Sequence, residues 1–101
     1  MNYIDYLPNT IEELEFGVYF NLKLDNCPSS IKKIIFTGNH RYHNYNEELN
    51  CLPDGLSILG LPYNYKHQIK NIPRGLTKLV CSKDYSYQSD FVDIGIEVEI
   101  Y

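Results

Sequence analysis

The chain has 101 residues, 44% of them hydrophobic and 22% charged, and its 13 acidic against 9 basic side chains give a net charge of −4. That length holds one small soluble domain, the acidity argues against the electrostatic footprint of a nucleic-acid binder, and no apolar run reaches the roughly 20 residues of a membrane-crossing helix. Three cysteines, with no Asn-x-Ser/Thr acceptor and no basic-then-apolar leader, point to a reducing compartment, so an intracellular, cytoplasmic location is expected.

Taken in chain order, one apolar pattern returns four times. The first copy runs from Ile4 through Leu7-Pro8 to Ile11, Leu14 and Phe16, and the second from Leu24 through Cys27-Pro28 to Ile31, Ile34 and Phe36. The third runs from Leu49 through Leu52-Pro53 to Leu56, Leu59 and Leu61, and the fourth from Ile69 through Ile72-Pro73 to Leu76, Leu79 and Cys81. The step from Pro8 to Pro28 equals that from Pro53 to Pro73, and only the step from Pro28 to Pro53 is wider. Each proline sits in the string Φ-P-x-x-Φ-x-x-Φ-x-Φ, where Φ is apolar. A unit of this size cannot bury its own apolar side, whereas stacked units turn each column into a continuous internal ladder. The pattern therefore predicts a β-rich solenoid.

Each coil is expected to contribute one short strand at the alternating end of its string, as in Leu14-Glu15-Phe16 and Ile34-Ile35-Phe36. Proline followed by Asn9, Ser29-Ser30, Asp54-Gly55 or Gly75 supplies the turn into it. So close a spacing leaves little or no helix, and irregular backbone is expected on the far side of each coil. After the fourth copy Asp93 stands where a fifth proline would fall, and Ile94–Tyr101 alternates apolar with polar. That stretch reads as a capping strand with its glutamates in water. The plan is one domain over 1–101, with four repeats over about 1–88 and a cap over 89–101.

The upstream halves of the units sharpen the pattern. Phe20-Asn21-x-x-Leu24-x-x-Cys27-Pro28 and Tyr45-Asn46-x-x-Leu49-x-x-Leu52-Pro53 resemble the FNIP repeat, and Tyr65-Lys66-x-x-Ile69-x-x-Ile72-Pro73 keeps all but the asparagine. The resemblance implies a divergent leucine-rich-repeat type, a right-handed coil with a short parallel sheet, abundant in social amoebae and in giant viruses of amoebae. A viral member would act in the host cytoplasm. Some members carry an F-box that links them to ubiquitin ligases. This chain opens in its first repeat, so the resemblance implies a scaffold for protein recognition and not a ligase adaptor. Asn21 and Asn46 are expected to satisfy backbone groups between coils.

On such a sheet the residues between the apolar columns face outward and form the candidate binding face. They are Glu12, Glu13 and Glu15 on the first strand, Lys32, Lys33 and Ile35 on the second, Ser57 and Ile58 on the third, and Thr77, Lys78 and Val80 on the fourth. Glu12/Lys32 and Glu13/Lys33 read either as exposed cross-strand pairs or as recognition charges, and Ile35, Ile58 and Val80 make an apolar strip beside them. The wider step between Pro28 and Pro53 adds residues within 38–46, and His40, Arg41, Tyr42, His43 and Tyr45 are types favoured at recognition hot spots. A tolerated surface insertion is the alternative.

His40, His43 and Cys51 lack the spacing and thiol count of a zinc site, so no metal is expected. Cys27 and Cys81 fall in apolar columns and read as small buried hydrophobes, whereas Cys51 lies in an exposed turn. No nucleophile elbow, phosphate loop or isolated carboxylate pair occurs in the sequence. The expectation is a non-enzymatic protein-binding module without cofactor or small-molecule substrate, whose partner is a protein and neither nucleic acid nor membrane. The alternative is a structural protein that self-associates through its terminal rungs.

Overall fold

The structure, a computed structural model, describes residues 7–17, 19–24, 27–36 and 45–101. Each proline string opens with a turn in which the proline carbonyl accepts the N–H three positions on, at Ile11 (3.3 Å), Ile31 (3.2 Å), Leu56 (3.1 Å) and Leu76 (3.2 Å). These turns deliver the chain into strands β1 (Glu13–Phe16), β2 (Lys33–Phe36), β3 (Ile58–Gly60) and β4 (Lys78–Cys81). A helix α1 (Gln88–Val92) and strand β5 (Glu97–Ile100) follow. The five strands form one parallel sheet in the order β1-β2-β3-β4-β5. The protein is a β-solenoid with almost no helix.

The sheet starts just ahead of each strand. Glu12 carbonyl accepts from Lys32 N (2.6 Å) and Lys33 N (3.1 Å), and Lys32 carbonyl accepts from Ser57 N (2.7 Å) and Ile58 N (3.1 Å). Ser57 carbonyl does the same for Thr77 N (2.9 Å) and Lys78 N (3.2 Å). Register then follows the apolar columns, with Leu14, Ile34, Leu59, Leu79 and Val98 side by side. Ile34, Leu59 and Leu79 are fully buried, as are Ile31, Leu56 and Leu61. Stacking has made one continuous core out of units that could not bury themselves.

A second turn carries the chain off the sheet. Phe20 N donates to Gly17 O (3.1 Å), Tyr65 N to Pro62 O (3.1 Å) and Tyr85 N to Ser82 O (3.1 Å). The aromatic at the end of this turn enters the core beside its equivalents. Ring centroids lie 5.7 Å apart for Phe20–Tyr45, 6.4 Å for Tyr45–Tyr65 and 6.1 Å for Tyr65–Tyr85. Each tyrosine hydroxyl donates to a carbonyl of the preceding coil, Tyr45 to Leu22 (3.0 Å), Tyr65 to Glu47 (2.8 Å) and Tyr85 to His67 (2.7 Å). The acceptor always stands at the same offset after the preceding aromatic, so one repeated device satisfies backbone that the irregular half would otherwise leave unpaired.

This is the task the sequence reading gave to Asn21 and Asn46, and the structure assigns it differently. Both asparagines are exposed, and Asn46 takes part through its carbonyl, which accepts from His67 Nε2 at 2.7 Å. Asn71 reaches across coils, its Nδ2 donating to Asn50 O at 3.2 Å.

The last coil departs from the repeat. Glu97 pairs with Lys78, and α1 replaces the irregular half. Phe91 of α1 is fully buried. Gly95, at a φ of 88°, lets Ile96 N bond to Phe91 O and its own N to Val92 O, each at 3.0 Å. That is the left-handed closure by which glycine ends a helical turn, and burial of Ile96 against the core accompanies it. The expected capping strand is therefore shorter: Ile94–Ile96 close α1, and only Glu97–Ile100 pair, with Glu97 and Glu99 exposed as expected.

At the fourth proline turn the backbones of two coils come into direct contact. A Cβ on Gly75 would lie 2.9 Å from Asp54 O, a backbone atom that also accepts the Gly75 N–H at 2.9 Å. Gly75→Val is expected to destabilise the fold by about 1–3 kcal/mol in urea unfolding, because neither backbone can give. Gly17→Ala, with nothing within 4 Å of its new carbon, is the control and should stay within about 0.5 kcal/mol of the parent.

Candidate functional site

Strand alternation and parallel register set the outward side chains in two straight rows. One runs Glu13, Lys33, Ile58, Lys78, Glu97 across the five strands, and the other runs Glu15, Ile35, Gly60, Val80, Glu99. Both rows are acidic at their ends and apolar or basic in the middle. Of the residues expected on this face, Glu13 is exposed and Lys33, Ile35, Ile58 and Val80 are half-buried. Ile35 and Val80 flank Gly60 in one row, and Ile58 stands in the other between two lysines.

Glycine shapes the face. Ile35 Cδ1 lies 2.8 Å from where a Cβ of Gly60 would be, and Lys32 Nζ lies 3.0 Å from the corresponding point on Gly55. Both side chains of the second coil therefore lean toward the third, into space that only glycine leaves. On the side they lean from, a depression of about 400 Å³ lies between β1 and β2, lined by Glu13, Leu14, Glu15, Lys33 and Ile35.

The charges behave differently at the two ends of the rows. Lys78 Nζ lies 3.9 Å from Glu97 Oε2 and 3.1 Å from Glu99 Oε1, so one ammonium serves both carboxylates of the last strand. Glu13 and Lys33 are register partners, yet the ion pairs among the described residues are those of Lys78.

Three of the residues singled out from the sequence, Glu13, Lys33 and Ile35, thus line one depression, while Ile58 and Val80 continue the same face. Glu15 and Leu14 complete the lining. The signal for the depression was Gly60, an isolated glycine in a strand string, which marks close approach. His40, Arg41, Tyr42 and His43 lie outside the described residues. Tyr45 is a correction, since it is 2% exposed and forms a rung of the aromatic ladder. Its apolar ring gains more in the stack than on a loop surface, and its hydroxyl already has the Leu22 carbonyl.

Cys81 is buried, and burial pushes its thiol up to about 11, where it is neutral and unreactive at ordinary pH. Cys27 is half-buried and Cys51 exposed. Among the described residues no three His, Cys, Asp or Glu side chains are placed to hold a metal ion. A repeat solenoid is an architecture built for extended binding surfaces.

No curated protein and no solved structure matches the chain. The family model for the FNIP Repeat matches residues 4–40, the stretch that contains β1, β2 and the first two proline turns. Residues 4–40 are thus FNIP repeat sequence, and the same aromatic, aliphatic and proline spacing carries on through Pro53 and Pro73.

Proposed function

We propose that this chain is a protein-recognition module that holds its partner against the outward face of the sheet, on Glu13, Lys33, Ile35, Ile58 and Val80. The observation that carries the reading is the placement of three half-buried apolar side chains at the centre of a charged, strand-fixed surface. A rigid parallel sheet holds them without further ordering cost, and apolar centres rimmed by charge are the usual anatomy of protein interfaces. The segment 40–43, with its histidines, arginine and tyrosine, is a second contact in this reading. The role is binding and not catalysis, and no cofactor or small-molecule substrate enters it.

A second reading, assembly of copies of the chain, is favoured by the last coil, where Val92, Ile94 and Ile100 are 57%, 63% and 45% exposed. One comparison separates the two. Ile58→Asp puts a carboxylate between Lys33 and Lys78, where cross-strand pairing tolerates it. The expected result is an unchanged melting temperature, a monomeric mass, and loss of the protein that the parent chain captures from a cell lysate. A concentration-dependent mass that Ile94→Lys abolishes, with capture unaffected by Ile58→Asp, would favour assembly.

A further inference from the structure

We infer that the depression between β1 and β2 takes a segment of the partner protein that carries a lysine or arginine followed by apolar residues, with the cation between Glu13 and Glu15. This rests on the recognition reading above and names the chemistry of the partner. The argument starts from a template inside the molecule. Both outer strands show Glu-x-Glu to solvent, Glu13 and Glu15 on β1 and Glu97 and Glu99 on β5. On β5 one lysine of the neighbouring strand clasps both carboxylates, at 3.9 and 3.1 Å. On β1 the same pair of carboxylates stands at the same strand spacing, and among the described residues no cation lies within ion-pair distance of either.

The residue of β2 that corresponds in register to Lys78 is Lys33, and it lines the depression without an ion pair to either carboxylate. Ile35 is drawn toward the third coil by the bare backbone of Gly60, and about 400 Å³ stands open beside Glu13 and Glu15. A volume of this order accommodates one long side chain and its neighbour. The floor continues the match. Ile35 leads along its row over Gly60 to Val80, with Ile58 in the next row, so a segment that starts with a cation at β1 meets apolar surface as it crosses the strands. The row ends at Glu99, already neutralised by Lys78, and offers no second cation site. Lys33, opposite Glu13, faces the segment from the other wall, where a carbonyl or carboxylate of the partner is its complement.

A second copy of this chain is the poorer occupant. Continuing the sheet by laying β5 of one copy against β1 of another brings Glu97 and Glu99 beside Glu13 and Glu15, and like charges on adjacent strands destabilise pairing.

The probes are two short synthetic peptides, one with arginine followed by isoleucine, valine and isoleucine, the other with glutamate in place of the arginine. Each is titrated into the ¹⁵N-labelled full chain at low salt and followed by amide shifts. The arginine peptide is expected to move the amides of Glu13, Leu14, Glu15, Lys33 and Ile35 and to bind about tenfold more tightly than its glutamate twin, a gap that narrows as salt rises. The variant Glu13→Lys/Glu15→Lys, confirmed as folded by circular dichroism, is expected to reverse the preference. Equal binding of the two peptides, or a preference that the charge swap leaves unchanged, overturns the inference. In that case shifts at Ile35, Ile58 and Val80 would leave the recognition reading standing on its apolar strip, and the Ile58→Asp capture experiment decides that reading separately. Absence of any shift on the outward face, or a concentration-dependent mass that the charge swap alters, also overturns it, the latter in favour of a second copy.

Discussion

Tyr65→Ala is expected to cost about 3–5 kcal/mol of stability, the range for deleting a buried aromatic, and to lower the melting temperature by more than about 10 °C, on the order of 4–8 °C per kcal/mol for a chain of this size. Tyr65 is 3% exposed and is the middle rung of the tyrosine ladder, 6.4 Å from Tyr45 and 6.1 Å from Tyr85. Its loss leaves a void between two coils that otherwise touch through it. It also leaves the Glu47 carbonyl without the hydroxyl that now donates to it at 2.8 Å. In a solenoid each coil depends on its neighbours, so a break at the centre uncouples the two ends. Tyr65→Phe keeps the ring and removes only the donor, and should cost about 1–3 kcal/mol. Tyr19→Ala, at 95% exposure, should change stability by less than about 0.5 kcal/mol. Urea unfolding of the three variants checks the order, and a Tyr65→Ala chain as stable as Tyr19→Ala would remove the ladder from the account of the fold.

The parts of this fold that were legible in the sequence are those the chain writes several times. The recurrence of one string at Pro8, Pro28, Pro53 and Pro73 carries over directly into the strand register, because the turn at each proline and the apolar columns behind it admit one parallel alignment. The tyrosine ladder was half legible. Phe20, Tyr45 and Tyr65 stood in the repeat string, but Tyr45 also borders the insertion, and a loop reading of it overlooks that Tyr45, Tyr65 and Tyr85 recur at one even interval. That period is the mark of a column, and the structure buries all three.

The last coil was the least legible because it is written once. It has no proline, its strand arrives out of step with the earlier interval, and a helix closed by Gly95 stands where the alternation of Ile94–Tyr101 suggested an unbroken strand. A single apolar alternation cannot tell a strand from the end of a helical turn when glycine sits within it. The candidate site divides in the same way. Strand alternation placed Glu13, Lys33, Ile35, Ile58 and Val80 on one face, whereas the depression depends on how Ile35 leans over Gly60, a glycine of the next coil. A contact of that kind is set by packing between coils and not by any local string.

Raising the pH should unfold this protein cooperatively. Burial pushes the hydroxyls of Tyr65 and Tyr85 above the ordinary phenol value, with further upward pressure from Glu48 and Glu47 on Tyr65 and from Tyr65 and Cys81 on Tyr85. Burial does the same to Tyr101, whose hydroxyl donates to Leu61 O at 2.9 Å, and raises Cys81 from 9.0 to about 11. Each of these groups holds its proton in the folded chain at a pH where the unfolded chain releases it. The folded state therefore binds more protons in that window, and linkage makes stability fall as pH rises. The contribution is intact below about pH 9, starts to fall as the unfolded thiol ionises, and falls faster once unfolded tyrosines ionise near about pH 10. The expected observation is a steep rise in tyrosinate absorbance that coincides with loss of the β-sheet circular dichroism. Tyr65→Phe, although less stable at neutral pH, should lose stability less steeply above about pH 10, since one of the linked protons is gone. Tyrosinate forming gradually through this range with the sheet signal intact would mean that the ladder hydroxyls reach solvent without opening the coils.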